Sequence, residues 1–222
     1  MVQSALNLHL APTYHAGDFV ASSSNEAAWQ WINQWPQWPA HALTLYGPLG
    51  CGKTHLAHIW AEKSGAQLLS GQQWDDFDLG RWHEKPCSIA LDQINQPVNQ
   101  KALLHLYNLA KEQQQFLLIN TETHPKMWEL TLADLSSRLN ATPAVAICQP
   151  DDALLKAIMI KLFADQQIMI STNVVDYILP RIDRSFASVK HVVQKMNELA
   201  LAKQRKITIP LVREVLAEMK DS

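Results

Sequence analysis

Residues 47–54 read GPLGCGKT and match GxxxxGK[ST], the phosphate loop found in nucleotide-binding proteins. A loop that turns tightly around phosphate groups must point several backbone N–H groups inward, and Gly47, Gly50 and Gly52 permit the backbone angles that this needs. An apolar run of strand type precedes the loop, and apolar residues at helical spacing follow it. The stretch therefore predicts a strand, a phosphate loop and a helix, in that order.

Three further residues of the loop have expected roles at a bound nucleotide. Lys53 is expected to reach the outer phosphates, and the Thr54 hydroxyl is expected to hold Mg²⁺. The helix that begins here points the positive end of its dipole at the anion. Cys51 is interpreted as a small side chain that fills the loop. The expected cofactors are ADP or ATP, with Mg²⁺.

The composition indicates a soluble globular chain with a substantial core. Its 222 residues are 47% hydrophobic, and 19 Lys and Arg against 21 Asp and Glu leave a net charge of -2. A general basic field for nucleic acid is therefore missing. The three cysteines show no CxxC spacing, which fits reduced thiols. No apolar run reaches the length of a membrane span and no signal peptide is recognisable, so we expect a cytoplasmic protein.

Two groups of side chains invite a ligand-binding interpretation but are interpreted as packing residues. One is the tryptophan group Trp29, Trp31, Trp35 and Trp38. No Lys or Arg lies between these tryptophans, which argues against a stacking surface for single-stranded nucleic acid. The other is the pair His55 and His58, for which no third metal ligand suggests itself.

Five short apolar runs alternate with helical patterns along the first two thirds of the chain. They are residues 43–46, 66–69, 88–91, 116–119 and 144–147. Such alternation is typical of an α/β fold, a parallel sheet flanked by helices. The nucleotide is then expected at the carboxyl ends of the strands.

Polar residues end the third and fourth runs. Asp92 is typical of the second nucleotide motif, in which a carboxylate holds Mg²⁺ through water, or it simply terminates a strand. Many ATPases place a second acid next, to polarise the attacking water, but here that position is Gln93. Losing a positioned base typically costs roughly 10²- to 10⁴-fold in rate, so slow intrinsic hydrolysis is expected. Asn120 is our candidate for contacting the γ-phosphate or its water, although any strand end offers such polar groups.

After residue 150 the apolar residues follow the 3.6-residue period of helices, and no comparable strand returns. A helical second domain is predicted to begin near Asp151. Ser185 or Ser188 is available to cap one of its helices, and Thr208 could cap the last. A phosphate-loop sheet domain followed by a small all-α lid is the layout of AAA+ ATPases. The predicted organisation is a tail at 1–17, an α/β nucleotide-binding domain at 18–150 and a lid at 151–222.

Several strings of this sequence resemble the DnaA-related AAA+ family of bacterial replication proteins, and the resemblance covers most of the chain. They are DFV at 18–20, GKTHLAH at 52–58, SSRL at 136–139 and QRKITIP at 204–210. The first implies that Phe19 and Val20 lie near the adenine, and the second adds His55 to the nucleotide site. The third implies that Arg138 is an arginine finger, which acts in trans on a nucleotide held by a neighbouring subunit.

The chain also departs from the family pattern. The alignment places Ala187 where the lid's sensor arginine is expected, and Lys190, one helical turn on, is a candidate substitute. With Gln93, this makes two weakened catalytic positions, so the chain is expected to bind nucleotide rather than turn it over quickly. The segment 72–86 is shorter than the initiator's region for oligomerisation and single-strand contacts, and no helix-turn-helix follows Ser222. Sequence-specific DNA binding is therefore not expected.

Residues 3–8, QSALNL, fit QxxLxL, the form of a peptide that docks on the replicative sliding clamp. Gln3 would hydrogen-bond at the rim of the pocket, while Leu6 and Leu8 would fill apolar subsites. Ser4 replaces the usual Leu and is expected to weaken the contact. The family resemblance implies a clamp motif at this position.

Three functions follow as hypotheses. The first is a clamp-tethered regulator that presents Arg138 to DnaA-bound ATP, promotes its hydrolysis and so restrains replication initiation. The second is a self-sufficient ATPase that loads or remodels a replication or transposition partner. The third is an adaptor that needs no nucleotide and bridges the clamp to a partner. A homodimer is compatible with each of them, and none involves a membrane.

Overall fold

The chain forms a parallel sheet covered by helices and, after it, a bundle of four helices. The structure, a computed structural model, describes residues 14–94, 98–203 and 206–219. The predicted clamp motif at Gln3, Leu6 and Leu8 lies outside the described residues. Among the helices that are described, none combines the length and the apolar character that crossing a membrane would need.

Five strands and ten α-helices make up the described chain. The strands are β1 (Ala42–Tyr46), β2 (Gln67–Ser70), β3 (Ile89–Asp92), β4 (Leu117–Thr121) and β5 (Ala144–Ala146). The helices of the sheet part are α1 (Glu26–Gln34), α2 (Lys53–Ser64), α3 (Gly71–Asp75), α4 (Leu79–Glu84), α5 (Gln100–Glu112) and α6 (Ala133–Ala141). The helices of the lid are α7 (Asp152–Asp165), α8 (Thr172–Ile178), α9 (Phe186–Lys203) and α10 (Ile209–Glu218). Single 3-10 turns lie at Ala16–Asp18, Pro125–Met127 and Leu179–Arg181.

The sheet is parallel throughout, with the strand order β2-β3-β4-β1-β5. Strand β1 therefore lies between β4 and β5, with Ala42 opposite Leu117 and Thr44 opposite Ala144. Every residue of β3 and β4 is buried, as expected when helices cover both faces of a parallel sheet. The fold class predicted from the alternating runs is confirmed, and the observed strands differ from those runs by one or two residues at their ends.

The tryptophan group at residues 29–38 packs in the core between the sheet and helices α1 and α2. Trp60 of α2 is fully buried, and the Trp38 ring stacks on it at 5.4 Å. Trp35 meets the same ring edge-on at 6.3 Å, and the Trp38 indole N–H donates to the carbonyl of Trp31 over 2.7 Å. Their interpretation as packing residues is confirmed for this face of the sheet.

The lid helices bury a core of their own around Met159, Phe163 and Val193. Asp151 caps α7, because its carboxylate accepts from the backbone N–H of Leu154 over 2.7 Å. Of the two predicted caps for α9, Ser185 takes that place: its hydroxyl oxygen accepts from the N–H of Ser188 over 3.1 Å. Thr208 precedes α10 as predicted, but its side chain makes no capping hydrogen bond.

The central strands should dominate the stability of the sheet part. Leu118 of β4 is fully buried, so Leu118→Ala should lower the free energy of unfolding by about 2–5 kcal/mol through lost burial and a cavity. Leu201→Ala is the control, because Leu201 is 67% exposed, and its effect should stay within about 0.5 kcal/mol. Urea denaturation followed by circular dichroism measures both. Equal effects of the two substitutions would contradict the assignment of the core.

Candidate nucleotide-binding site

The phosphate loop joins the carboxyl end of β1 to the start of α2 and depends on its glycines. Gly50 has a φ of 72°, in the left-handed region that side chains avoid. A Cβ atom added to Gly47 would lie only 2.1 Å from the carbonyl oxygen of Ile147. The loop therefore packs closely against the segment that follows β5, and larger residues at these positions would displace it.

A buried carboxylate lies beside the loop. Asp92, at the end of β3, is 5% exposed, and its Oδ2 accepts from the Thr54 hydroxyl over 2.8 Å. Its Oδ1 accepts from the Asn120 side-chain amide over 2.8 Å, and the same amide donates to the carbonyl of Lys53 over 2.9 Å. The structure therefore brings the predicted residues Thr54, Asp92 and Asn120 into one network.

One atom of this network has no hydrogen-bond partner within the described part of the chain. Asn120 is fully buried, and its Oδ1 accepts no hydrogen bond from any described residue. Buried polar atoms are nearly always paired, so an unpaired oxygen beside a phosphate loop indicates an acceptor for a bound group or its water. Gln93, predicted to replace the second acid, follows Asp92 directly with a φ of 58° and lines a neighbouring cavity of about 420 Å³.

The predicted phosphate-binding lysine is held inside the loop. The Lys53 ammonium donates to the carbonyl of Gly47 over 2.6 Å and to that of Pro48 over 2.9 Å. Cys51 is buried, with its sulfur 3.7 Å from the same ammonium, and burial raises the pKa of its thiol. Cys51 therefore fills the loop as a neutral side chain.

The first residues of α9 lie directly against the loop. A Cβ atom on Gly50 would lie 2.6 Å from the Cβ of Ser185, and one on Gly52 would lie 3.1 Å from the ring of Phe186. The N–H of Phe186 also points to the carbonyl of Gly50, at 3.4 Å. The lid is thus in contact with the phosphate loop, and Ser185 and Phe186 belong to the site.

The sequence patterns did not assign Ser185, predicted only as a helix cap, or Phe186 to this site, although a signal was present. The family's lid motif predicts its sensor arginine at the position of Ala187, one residue beyond Phe186. Both Ala187 and the predicted substitute Lys190 are exposed on α9. An aromatic ring therefore makes the lid contact with the loop here.

The residues predicted near the adenine gather beside α2. The Phe19 ring stacks on Trp29 at 4.8 Å and meets His55 edge-on at 5.4 Å. The carbonyl of Val20 accepts from the side-chain amide of Asn25, which is 2% exposed. Burial lowers the pKa of His55, so this imidazole is neutral at neutral pH. The site thus has a fixed, uncharged aromatic flank.

Arg138 lies away from this network. It is on the last turn of α6, which leads through Thr142 to the amino end of β5, whereas the phosphate loop follows the carboxyl end of β1. The Thr142 hydroxyl donates to the carbonyl of Arg138 over 2.9 Å. The Arg138 Nε is buried and has no hydrogen-bond partner among the described residues. Arg138 therefore lies towards the amino ends of the strands, whereas its own phosphate loop lies at their carboxyl ends.

These features define a nucleotide-binding P-loop protein of the AAA+ class. They are the strand order, the loop after β1, the polar ends of β3 and β4, and the helical lid. A family model described as "Hda, lid domain" matches residues 152–216. The chromosomal replication initiator protein DnaA of Buchnera aphidicola subsp. Cinara cedri is 22% identical over 244 residues, covering 99% of this chain. The lid of this chain thus matches the Hda lid model, and the chain as a whole is similar to the replication initiator DnaA.

Solved structures show the same fold. Domain III of the Thermotoga maritima replication initiation protein DnaA has a TM-score of 0.79 and 17% identity, with 94% of this chain and 97% of that chain covered. AMPPCP-bound DnaA from Aquifex aeolicus has a TM-score of 0.69 and 17% identity, with 85% of this chain and 66% of that chain covered. This chain spans 56% of the length of the Buchnera DnaA.

The contact between the loop and the lid can be tested at Gly50. Gly50→Ala forces a side chain into the left-handed region, which costs about 1–2 kcal/mol, and drives its Cβ into Ser185. We expect the Kd for a fluorescent ADP analogue to rise at least about tenfold. The control is Gly17→Ala, because a Cβ there meets nothing within 4 Å. Unchanged affinity in Gly50→Ala would contradict the assigned loop conformation.

Proposed function

We propose that this chain is an Hda-like regulator of chromosomal replication initiation, acting in the cytoplasm. It binds nucleotide, docks on the sliding clamp through Gln3, Leu6 and Leu8, and stimulates hydrolysis of DnaA-bound ATP by presenting Arg138. The placement of Arg138 carries this proposal. Arg138 is only partly buried and lies towards the amino ends of the strands, remote from its own phosphate loop, so its guanidinium can act on a nucleotide only where a neighbouring protein holds it.

The site suits ADP or ATP with Mg²⁺. The glycines permit the loop angles that let backbone N–H groups face a phosphate, and Lys53 supplies the positive charge. Thr54 and Asp92 place two oxygens 2.8 Å apart, the donor type that Mg²⁺ prefers. When bound, Mg²⁺ neutralises phosphate charge. The unpaired oxygen of Asn120 is available to a donor at that end of the site.

The chain's own hydrolysis is expected to be slow. Gln93 stands next to Asp92 where a base would be needed, and an amide is a poor proton acceptor. The lid meets the loop through Phe186, while Ala187 offers no cation. A site of this kind retains its nucleotide, which then acts as a structural switch for the angle between lid and sheet.

The finger assignment predicts a specific loss. Arg138→Ala should keep ADP binding and clamp binding but lower the stimulation of DnaA-bound ATP hydrolysis by roughly 10³- to 10⁵-fold. The measurement is phosphate release from purified ATP-bound DnaA with clamp on DNA. Arg81→Ala is the matched control, because Arg81 is an exposed arginine on another helix of the sheet part, and it should stay fully active. Stimulation that survives Arg138→Ala would refute the finger.

The alternative function, a self-sufficient ATPase, is distinguished from the regulator by the rate at which the isolated chain hydrolyses ATP. Gln93→Glu restores an acid without changing side-chain size and should raise intrinsic ATP hydrolysis about 10- to 100-fold. Gln72→Glu, which adds the same charge beside the same cavity, should have no such effect. Steady-state phosphate release by the isolated chain measures both. Rapid turnover in the unmodified protein would support the ATPase alternative instead.

A further inference from the structure

Residues 14–19, here called the strap, cross the flank of α2 beside the nucleotide site. The Tyr14 ring lies parallel to His58 of α2, with 4.0 Å between the ring centroids and 6° between their planes. Tyr14 also meets His55 edge-on at 5.4 Å, and the carbonyl of His15 lies 3.3 Å from the His55 ring nitrogen Nε2. One end of the strap is therefore attached to the helix that begins at the phosphate loop.

The other end of the strap is attached to the lid. Asp18 Oδ1 lies 2.5 Å from the Nζ of Lys161 on α7, and the side chains are 34% and 32% exposed. The hydrogen bond from Lys161 to Asp18 is the main cause of a raised pKa at that lysine, so the pair stays ionised at neutral pH. Behind it, Phe19 stacks on Trp29 of α1. The strap thus bridges α2 and the lid.

The helix end of the strap stands next to the phosphate side of the site. His58 follows Thr54 by one helical turn, and Thr54 donates to Asp92. The negative charge of Asp92 contributes, after burial, to a raised pKa of the Tyr14 phenol. Movement of the strap would therefore act on α2, which begins at the phosphate loop, as well as on the lid.

We propose that the strap couples nucleotide occupancy to the amino-terminal tail. A nucleotide that brings the lid closer to the loop reduces the mobility of the strap between α2 and α7. A partner that holds residues 3–8 acts first on Tyr14, which follows that motif by six residues. Such coupling is reciprocal, so ADP and the tail's partner change each other's affinity by the same factor. The part of the inference that concerns the clamp rests on the proposed function.

The strap's response to nucleotide is tested without any partner. The backbone N–H groups of Asp18 and Phe19 donate to the carbonyls of His15 and Ala16, so their hydrogen exchange reports on the strap. Saturating ADP should slow this exchange about two- to fivefold in the full chain, the range expected for a partly exposed ion pair. ADP binding that leaves the exchange unchanged would overturn the inference.

Two lysines on α7 give a matched pair of variants. Lys161→Met removes the contact with the strap and should abolish the slowing by ADP. Lys156→Met removes a similar ion pair, with Asp176 at 2.6 Å, that lies wholly within the lid, and it should retain the slowing. Loss of the response in both variants would mean that lid stability, and not the strap, is responsible.

A second experiment tests the coupling to the clamp. It measures the rate at which a fluorescent ADP analogue dissociates from the chain, with and without saturating sliding clamp. The clamp should change the dissociation rate about two- to fivefold in the unmodified chain and in Lys156→Met, but not in Lys161→Met. A clamp that binds and leaves the rate unchanged overturns the coupling and leaves the proposed function intact. A clamp that does not bind refutes the tail assignment, and the exchange experiment then decides whether the strap responds to nucleotide.

Discussion

The geometry of the site depends on one buried carboxylate, that of Asp92. Burying a charged carboxylate is costly unless hydrogen bonds replace the lost water. Its two oxygens accept from Thr54, at the start of α2, and from Asn120, in β4. Three elements distant in sequence are thereby held in one arrangement, which only the strand order with β4 between β3 and β1 allows.

The glycines of the phosphate loop have a second use, which the fold makes visible. Their missing side chains give a phosphate access to backbone N–H groups, and they also let Ser185 and Phe186 reach the loop. The lid therefore contacts the sheet part at two separate points: α9 meets the loop, and Lys161 of α7 meets Asp18. A lid held at both points has far fewer orientations open to it than a lid held at one.

Features encoded by local patterns could be predicted from the sequence. The loop, the parallel sheet and the polar strand ends at Asp92 and Asn120 each follow from the spacing of neighbouring residues. Contacts between distant residues could not be predicted this way. Phe186 meets a loop more than 130 positions earlier in the chain, and Tyr14 lies on His58 because the chain before β1 turns back over α2. Neither pairing leaves a periodic signal.

The same distinction, between local patterns and contacts of distant residues, applies to the charged and uncharged side chains of the site. Gln93 and Ala187 can be recognised from sequence as departures from the family's motifs, since each is defined by its offset from a motif. The position of Arg138 follows from the path of the chain: because α6 leads to the amino end of β5, a residue on its last turn lies towards the end of the sheet opposite the loop. That separation is what the proposed action of Arg138 on a neighbouring protein's nucleotide requires.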